Sequence, residues 1–323
     1  MNKRLRIFGW LLAVVIVIAT ALIVLNRQWL KDFWHGMSYQ PSAAMADIRS
    51  KLNLTDQGTF LFNASQPELN TSESFNSYCR TDGQEIAVLG CYTGDRIYIY
   101  DINTSELKGI RELTTAHELL HAVFARMSSS DKESLRQDLD KTYQANQDIL
   151  KSDLDTYDET ERYEELYVRA GTEVKKLPDS LEKHYATIFK DQDQIVDYYN
   201  SYISVFRALE AELDALATEM DALSNEITAK TAEYKERVTN LNNNITEFNN
   251  CAASTECYMS QYEFYSRRNT LVAEQNNLEF LYNEISALID TYNVKVEAYN
   301  ADVLQTQKLN KIINSAPAVT EEL

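Results

Sequence analysis

Glycine and proline are scarce, and in the second half of the chain they vanish. Of 8 Gly and 4 Pro in 323 residues, none falls between Pro178 and Pro317, and the last Gly is Gly171. These are the residues least tolerated inside helices and most needed at turns and barrel corners. Their absence excludes a β-sandwich, a barrel or a doubly wound sheet over that span and points to long helices. Basic charge is also short: 31 Lys+Arg against 49 Asp+Glu leave a net charge of −18. A chain this acidic lacks the basic footprint of a nucleic-acid binder, so no nucleic-acid partner is expected. Histidine and cysteine are rare, at 4 each. What is plentiful is Tyr, at 20, within a hydrophobic share of 44%, which argues against wholesale disorder.

The N-terminus carries Lys3, Arg4 and Arg6, and then Ile7 to Leu25 run without a charge. At 1.5 Å rise per residue this makes roughly 28 Å of helix, against a bilayer core of about 30 Å. The expectation is a basic cytoplasmic tail over residues 1–6 and a single-pass transmembrane anchor over 7–25. A lipid bilayer is then a partner through 7–25, and the rest of the chain lies extracytoplasmic at the cell membrane. Trp29 and Trp34 sit where an interfacial aromatic belt belongs. A cleaved signal peptide, with Ala19-Thr20-Ala21 as its small-residue site, is the alternative. The cysteines fit an oxidising compartment. Cys79 with Cys91 and Cys251 with Cys257 each bracket a turn, so local pairing is the expected disulfide pattern.

Three regions follow. Residues 37–178 read as α+β, a small sheet preceding helices. Ser42 caps a helix over Ala43–Leu52. Residues 59–62, 85–89 and Arg96–Ile102 read as strands from their β-branched and aromatic content. Glu112–Met127 reads as a helix. Ser128 to Asp131 break and recap it, opening another to about Ile149, and a third helical stretch runs from about Glu159 towards Gly171. Residues 180–314 carry apolar positions in steps of four and three: Leu209, Leu213, Leu216, Met220, Leu223 and Ile227, and on the return Leu278, Leu281, Ile285 and Leu288. This heptad pattern, with Cys251 and Cys257 between its two runs, predicts an antiparallel coiled-coil hairpin stapled at its tip and able to hold a protein partner. Lys230 interrupts the seam. Residues 315–323 read as a flexible tail.

The chemistry-bearing signal is Thr114-Thr115-Ala116-His117-Glu118-Leu119-Leu120-His121-Ala122-Val123, an H-E-x-x-H motif. On a helix, His117 and His121 are four apart, so both imidazoles leave one face and can bind one metal ion. Glu118, beside the first ligand, can reach a metal-activated water and take its proton as general base. That chemistry hydrolyses a peptide bond without a covalent intermediate. Apart from Glu118 and the two histidines, residues 114–123 contain no ionisable side chain and no Pro. In this uncharged pattern the stretch resembles the motif helix of zincin metallopeptidases.

A third protein ligand is needed, leaving a fourth position for water. The stretch Tyr163-Glu164-Glu165-Leu166-Tyr167-Val168-Arg169-Ala170-Gly171-Thr172-Glu173-Val174 resembles the ligand helix of the gluzincin branch, and the resemblance implies Glu165 as that ligand. Glu164 stands where that family has Asn, and Arg169 where it has an acidic residue. Periodicity offers a competing answer: Leu166, Ala170, Val174 and Leu177 form an apolar stripe beside Glu173, which faces inward if the helix continues through Gly171. His184 or Tyr185, just beyond, is placed as a donor to the oxyanion of the tetrahedral intermediate. The resemblance also implies that Ile97–Ile102 is an edge strand pairing with extended substrate.

Together these readings predict a zincin-like α+β catalytic domain behind one transmembrane helix, followed by a long helical hairpin. The expected function is a membrane-anchored zinc endopeptidase, with one Zn2+ per chain and a peptide or protein substrate. The alternative is a coiled-coil interaction or scaffold protein whose zinc site is structural or inactive. A metal-dependent hydrolase of a non-peptide amide is a third reading.

Overall fold

The computed structural model describes residues 20, 26–79, 88–254, 257 and 259–315. Helix accounts for 77% of the described residues. The chain divides into two units. One contains the described residues up to Val205 together with Asn310 to Ser315, and the other runs from Phe206 to Leu309. The hairpin unit thus begins well after residue 180, because the first turns of its long outgoing helix belong to the first unit.

The first unit opens with α1 (Arg27–Ser38), α2 (Ala43–Lys51) and α3 (Asp56–Ala64). Ser42 caps α2 as expected, its side chain accepting from Met45 N at 3.2 Å. Residues 59–62 are not a strand; they lie inside α3. Thr55 caps that helix by accepting from Gly58 N at 3.0 Å, and Gly58, Leu61, Phe62 and Ala64 form its buried face. A good cap and a buried helical stripe override the β preference of Thr59 and Phe60.

Next come β1 (Glu68–Asn70), α4 (Ser72–Tyr78), β2 (Gly90–Thr93) and β3 (Arg96–Tyr100). The expected strand over 85–89 falls largely outside the described residues. The sheet order is β1-β3-β2, with β3 parallel to β1 and antiparallel to β2. The strand expected over Ile97–Ile102 is β3, which ends at Tyr100, and it is central and paired on both sides. Its expected role as a substrate-pairing edge is corrected, since its backbone groups are already used; among the described residues the two edges are β1 and β2. The Cys79–Cys91 disulfide ties the end of α4 to β2, Cα to Cα 5.8 Å.

The helices that follow are α5 (Ile110–Arg126), α6 (Ser129–Ala145), α7 (Gln147–Leu154), α8 (Glu159–Glu173) and α9 (Asp179–Tyr185). Ser128 recaps α6 through Asp131 N at 3.1 Å, but that helix stops at Asn146, short of Ile149. In the core, α5 crosses α8 and packs on β2 and β3, burying Ala116, Leu119, Leu120 and Val123 against Leu166, Tyr167 and Ala170. The crossing depends on Gly171. A Cβ there would lie 2.6 Å from both Leu120 Cδ1 and Tyr185 Cε1, which is why α8 runs through a glycine instead of ending at it.

The second unit is built from the long helices α10 (Gln192–Ala253) and α11 (Gln261–Ile313), which form a coiled-coil-like hairpin. Leu216, Leu241, Leu278, Leu281 and Ile285 are buried in its seam. Ion pairs Lys295–Glu219 (2.6 Å), Lys230–Glu284 (2.9 Å) and Arg237–Glu274 (2.9 Å) flank it. The descending partner numbers show the antiparallel sense. Lys230, at the polar break in the seam, pairs with Glu284 on the other helix. Cys251–Cys257 staples the tip, Cα to Cα 5.1 Å.

These findings correct the expectation of an α+β zincin-like domain behind a transmembrane helix. The fold is mostly helical with a three-stranded sheet among the described residues, and residues 59–62, read as a strand, lie in a helix. Among the described residues no helix is long and apolar enough to cross a membrane. Residues 7–25, Thr20 aside, lie outside the described residues, as do the tail 1–6 and residues 316–323. The transmembrane anchor, the bilayer partner through 7–25 and the cell-membrane placement are withdrawn. Both expected disulfides are present, a pattern that fits an oxidising environment. Ser315, expected in a flexible tail, is instead buried and bonded: its carbonyl accepts from Ser72 Oγ at 2.7 Å and from Asn76.

Candidate metal centre

Helix α5 presents the motif and α8 the carboxylates. The uncharged flanks of the motif let α5 run through the core: Thr114, Thr115, Glu118, Leu119 and Leu120 are all buried. Thr115 satisfies its hydroxyl on its own helix, donating to Arg111 O at 2.7 Å. His117 and His121 share one face, with ring centroids 5.0 Å apart. Opposite them, the crossing at Gly171 brings in Glu165, itself only 4% exposed.

The geometry converges. His117 Nε2 and His121 Nε2 are 3.3 Å apart. Glu165 Oε1 lies 3.6 Å from His117 Nε2, and Oε2 lies 3.4 Å from His121 Nε2. Zinc–nitrogen and zinc–oxygen bonds of about 2.0–2.1 Å in a tetrahedron make ligand–ligand edges of about 3.3 Å, so these separations suit that cation. Among the described residues, His117, His121 and Glu165 form a group whose ligand atoms all lie within 4.8 Å of one another.

Glu173, the competing candidate, is buried as the helical stripe implied, but it is not in that group. Arg169 stands between the two carboxylates, donating from Nε to Glu165 Oε1 at 2.6 Å and from Nη1 to Glu173 Oε1 at 3.0 Å. Both spacings are four residues, so the three side chains lie along one ridge of α8. Glu164, a departure from the gluzincin pattern, contacts His121 Nδ1 at 2.8 Å. With Nδ1 donating to that carboxylate, Nε2 is the nitrogen left to face Glu165 and His117.

Charge is unevenly placed without a cation. Burial pushes His117 down to about 3, against the pull of Glu165 and with help from His121 and Arg169. Burial acts the same way on His121, but Glu164 and Glu165 outweigh it and raise this ring to about 10. Burial works against ionised Glu165, yet His117, His121 and Arg169 together hold its carboxyl well below the usual carboxylate range. The surroundings therefore favour the ionised form of Glu165, the neutral form of His117 and the protonated form of His121. A divalent cation supplies in one atom the positive charge that the proton supplies there.

Compared with known proteins, the chain matches no family model, no curated protein and no solved structure. The reading of this centre therefore rests on its own residues.

Glu118 is 6% exposed and lies against β2, an edge strand of the sheet among the described residues. A Cβ on Gly90 would sit 2.7 Å from Glu118 Cγ and 2.8 Å from its Oε1, so only glycine leaves room for this carboxylate. Glu118 is also near enough to His121 to favour its protonated form. His184 is placed elsewhere: its Nε2 is 2.8 Å from Tyr167 Oη, and it lines a cleft with Gln57, Val123, Arg126, Asp131 and Leu135. Tyr185 is a core residue whose hydroxyl donates to Tyr167 O at 2.6 Å.

The sequence reading gave no role to three contributors. Glu164 had its signal in its place beside the ligand, and Arg169 in its i±4 spacing to two glutamates. Gly90 gave none, since its role comes from a strand laid over a helix distant in sequence.

Proposed function

We propose that the chain is a zinc-dependent peptidase. The observation that carries this reading is the convergence of His117, His121 and Glu165, with Glu118 on the same turn of α5 as the two histidines. A zinc ion held by these three residues supplies Lewis acidity, lowering the pKa of water and polarising a carbonyl oxygen. Glu118, kept out of the ligand set by its position on α5, takes the proton from the attacking water and passes it to the leaving amine. Gly90 keeps that carboxylate close to β2. Glu164 fixes the ring of His121, and Arg169 fixes Glu165, so the donors need little rearrangement. The substrate class is a peptide or protein.

The test pairs metal content with turnover on a mixed peptide library. Glu118→Gln should keep its zinc and lose cleavage. Wild-type protein that holds zinc and cleaves no peptide removes the proposal.

A second reading, an interaction protein with a structural zinc site, draws on the ion-pair-flanked hairpin of the second unit. On that reading chelation unfolds the first unit; on the peptidase reading it stops turnover and leaves the fold. A buried general base beside the ligands has no task in a structural site, which favours the peptidase.

A further inference from the structure

Helix α5 borders a second concavity. At about 3.6 residues per turn, Val123 and Arg126 leave it on the side away from His117 and His121. With Leu61, Asp131, Leu135 and His184 they line a cleft of about 390 Å³, within the range of about 300–1,000 Å³ usual for small-ligand pockets. Leu61, Val123 and Leu135 are buried and form its apolar floor. The polar groups around that floor differ in what is already satisfied. The Arg126 guanidinium is taken up by Asp32, Tyr92 Oη and Ala122 O. Asp131 accepts from Ser128 Oγ at 2.7 Å, but no cation pairs with its carboxylate among the described residues. Its charge reaches His184, which burial nonetheless holds towards the neutral ring. Tyr167 sets the tautomer of that ring. Its phenol is fully buried, which keeps it protonated, and His184 Nε2, at 2.8 Å, is its only hydrogen-bond partner among the described residues. A buried hydroxyl left without an acceptor is destabilising, so Tyr167 donates, Nε2 accepts, and the ring proton sits on Nδ1. Nδ1 itself has no partner among the described residues. The cleft therefore combines one N–H donor, one carboxylate and an apolar floor.

We propose that this cleft binds the free N-terminal residue of a peptide. The ammonium pairs with Asp131, the adjoining carbonyl oxygen accepts from His184 Nδ1–H, and an apolar side chain lies on Leu61 and Leu135. A single chemical unit has to answer all three groups, and that requirement selects the ligand. A lysine side chain or simple amine brings a cation and an apolar stem with no acceptor beside the charge. An internal or N-acetylated peptide brings the carbonyl with no cation. An organic acid is repelled by Asp131 on a chain whose net charge is −18. Since the cleft lies on the far side of α5 from His117 and His121, its occupancy does not depend on a metal ion.

The test uses the full chain and leucinamide, which carries the ammonium, the carbonyl and the apolar side chain and little else. Calorimetry should show saturable binding of one leucinamide per chain. Acetyl-leucinamide, without the ammonium, and isopentylamine, without the carbonyl, should each bind about tenfold more weakly. Asp131→Asn should weaken leucinamide by a similar factor, with helicity by circular dichroism unchanged. The second measurement is NMR of chain labelled with nitrogen-15 at its 4 histidines. In the free chain His184 should be the neutral Nδ1–H tautomer, and leucinamide should shift its signals. No saturable binding overturns the proposal, and so does acetyl-leucinamide that binds equally well. An Nε2–H tautomer of free His184 also overturns it, as does leucinamide that moves only the signals of His117 and His121, which places it at the metal centre. Neither measurement reads turnover, so failure here and failure of the peptidase reading are separate results.

Discussion

Gly90 and Glu118 meet where the edge strand β2 crosses the motif helix α5, and the space between them admits no methyl group. The added carbon would lie 2.7 Å from Glu118 Cγ and equally close to Thr114 Cγ2. Gly90→Ala should therefore turn the carboxylate away while leaving the three ligands in place. Displacing a reacting group by about 1 Å can lower turnover by about 10²-fold. The expected outcome is that loss in kcat/KM with zinc content unchanged, measured on the same preparation. Normal turnover in Gly90→Ala shows that Glu118 is not the base.

Glu164 orients His121 from outside the ligand set, 2.8 Å from Nδ1. Removing such a partner lowers metal affinity by about 10–100-fold. Glu164→Gln should show that loss in competition with a chromophoric zinc chelator. Wild-type affinity in this variant means that the ring is held by packing alone.

Arg126 ends the motif helix in a buried ion pair with Asp32 of α1, at 2.8 and 2.9 Å, and also donates to Tyr92 Oη at 2.9 Å. Removing one partner of such a pair strands the other charge, at a cost of about 3–5 kcal/mol. Asp32→Ala should lose about that much stability in urea unfolding. Asp32→Ala with Arg126→Met should recover much of it, because no buried charge is left alone. Equal losses in the single and double variants contradict this assignment.

Burial lowers the pKa of His184, with Asp131 pulling the other way. The unfolded chain then takes up a proton, near pH 6.5 and below, that the folded chain resists. The contribution is present above pH 6.5 and is lost as pH falls through the folded value. His184→Gln should flatten this part of the stability–pH curve, read from denaturant midpoints at a series of pH values. An unchanged slope means that His184 titrates alike in both states.

The features legible in the sequence were those written in local spacing. The i, i+4 histidines, the cap at Ser42, the break at Ser128, the close cysteine pairs and the heptads of the hairpin each need only a few neighbours to be read. What escaped was tertiary. Thr59 and Phe60 favour a strand, but the cap at Thr55 and the buried face of α3 decide for a helix. Ile97 and Ile99 announce a strand without saying that it is paired on both sides. That Glu165 rather than Glu173 lies near both histidines follows from the interhelical crossing at Gly171, which no local spacing announces.

The central claim is that His117, His121 and Glu165 hold one zinc ion. The most direct measurement is metal analysis of the purified chain beside its Glu165→Ala and Glu173→Ala variants. About one zinc per chain is expected in the wild type and in Glu173→Ala, with a large loss in Glu165→Ala. A wild type without zinc, or a Glu165→Ala variant that binds it undiminished, contradicts the claim.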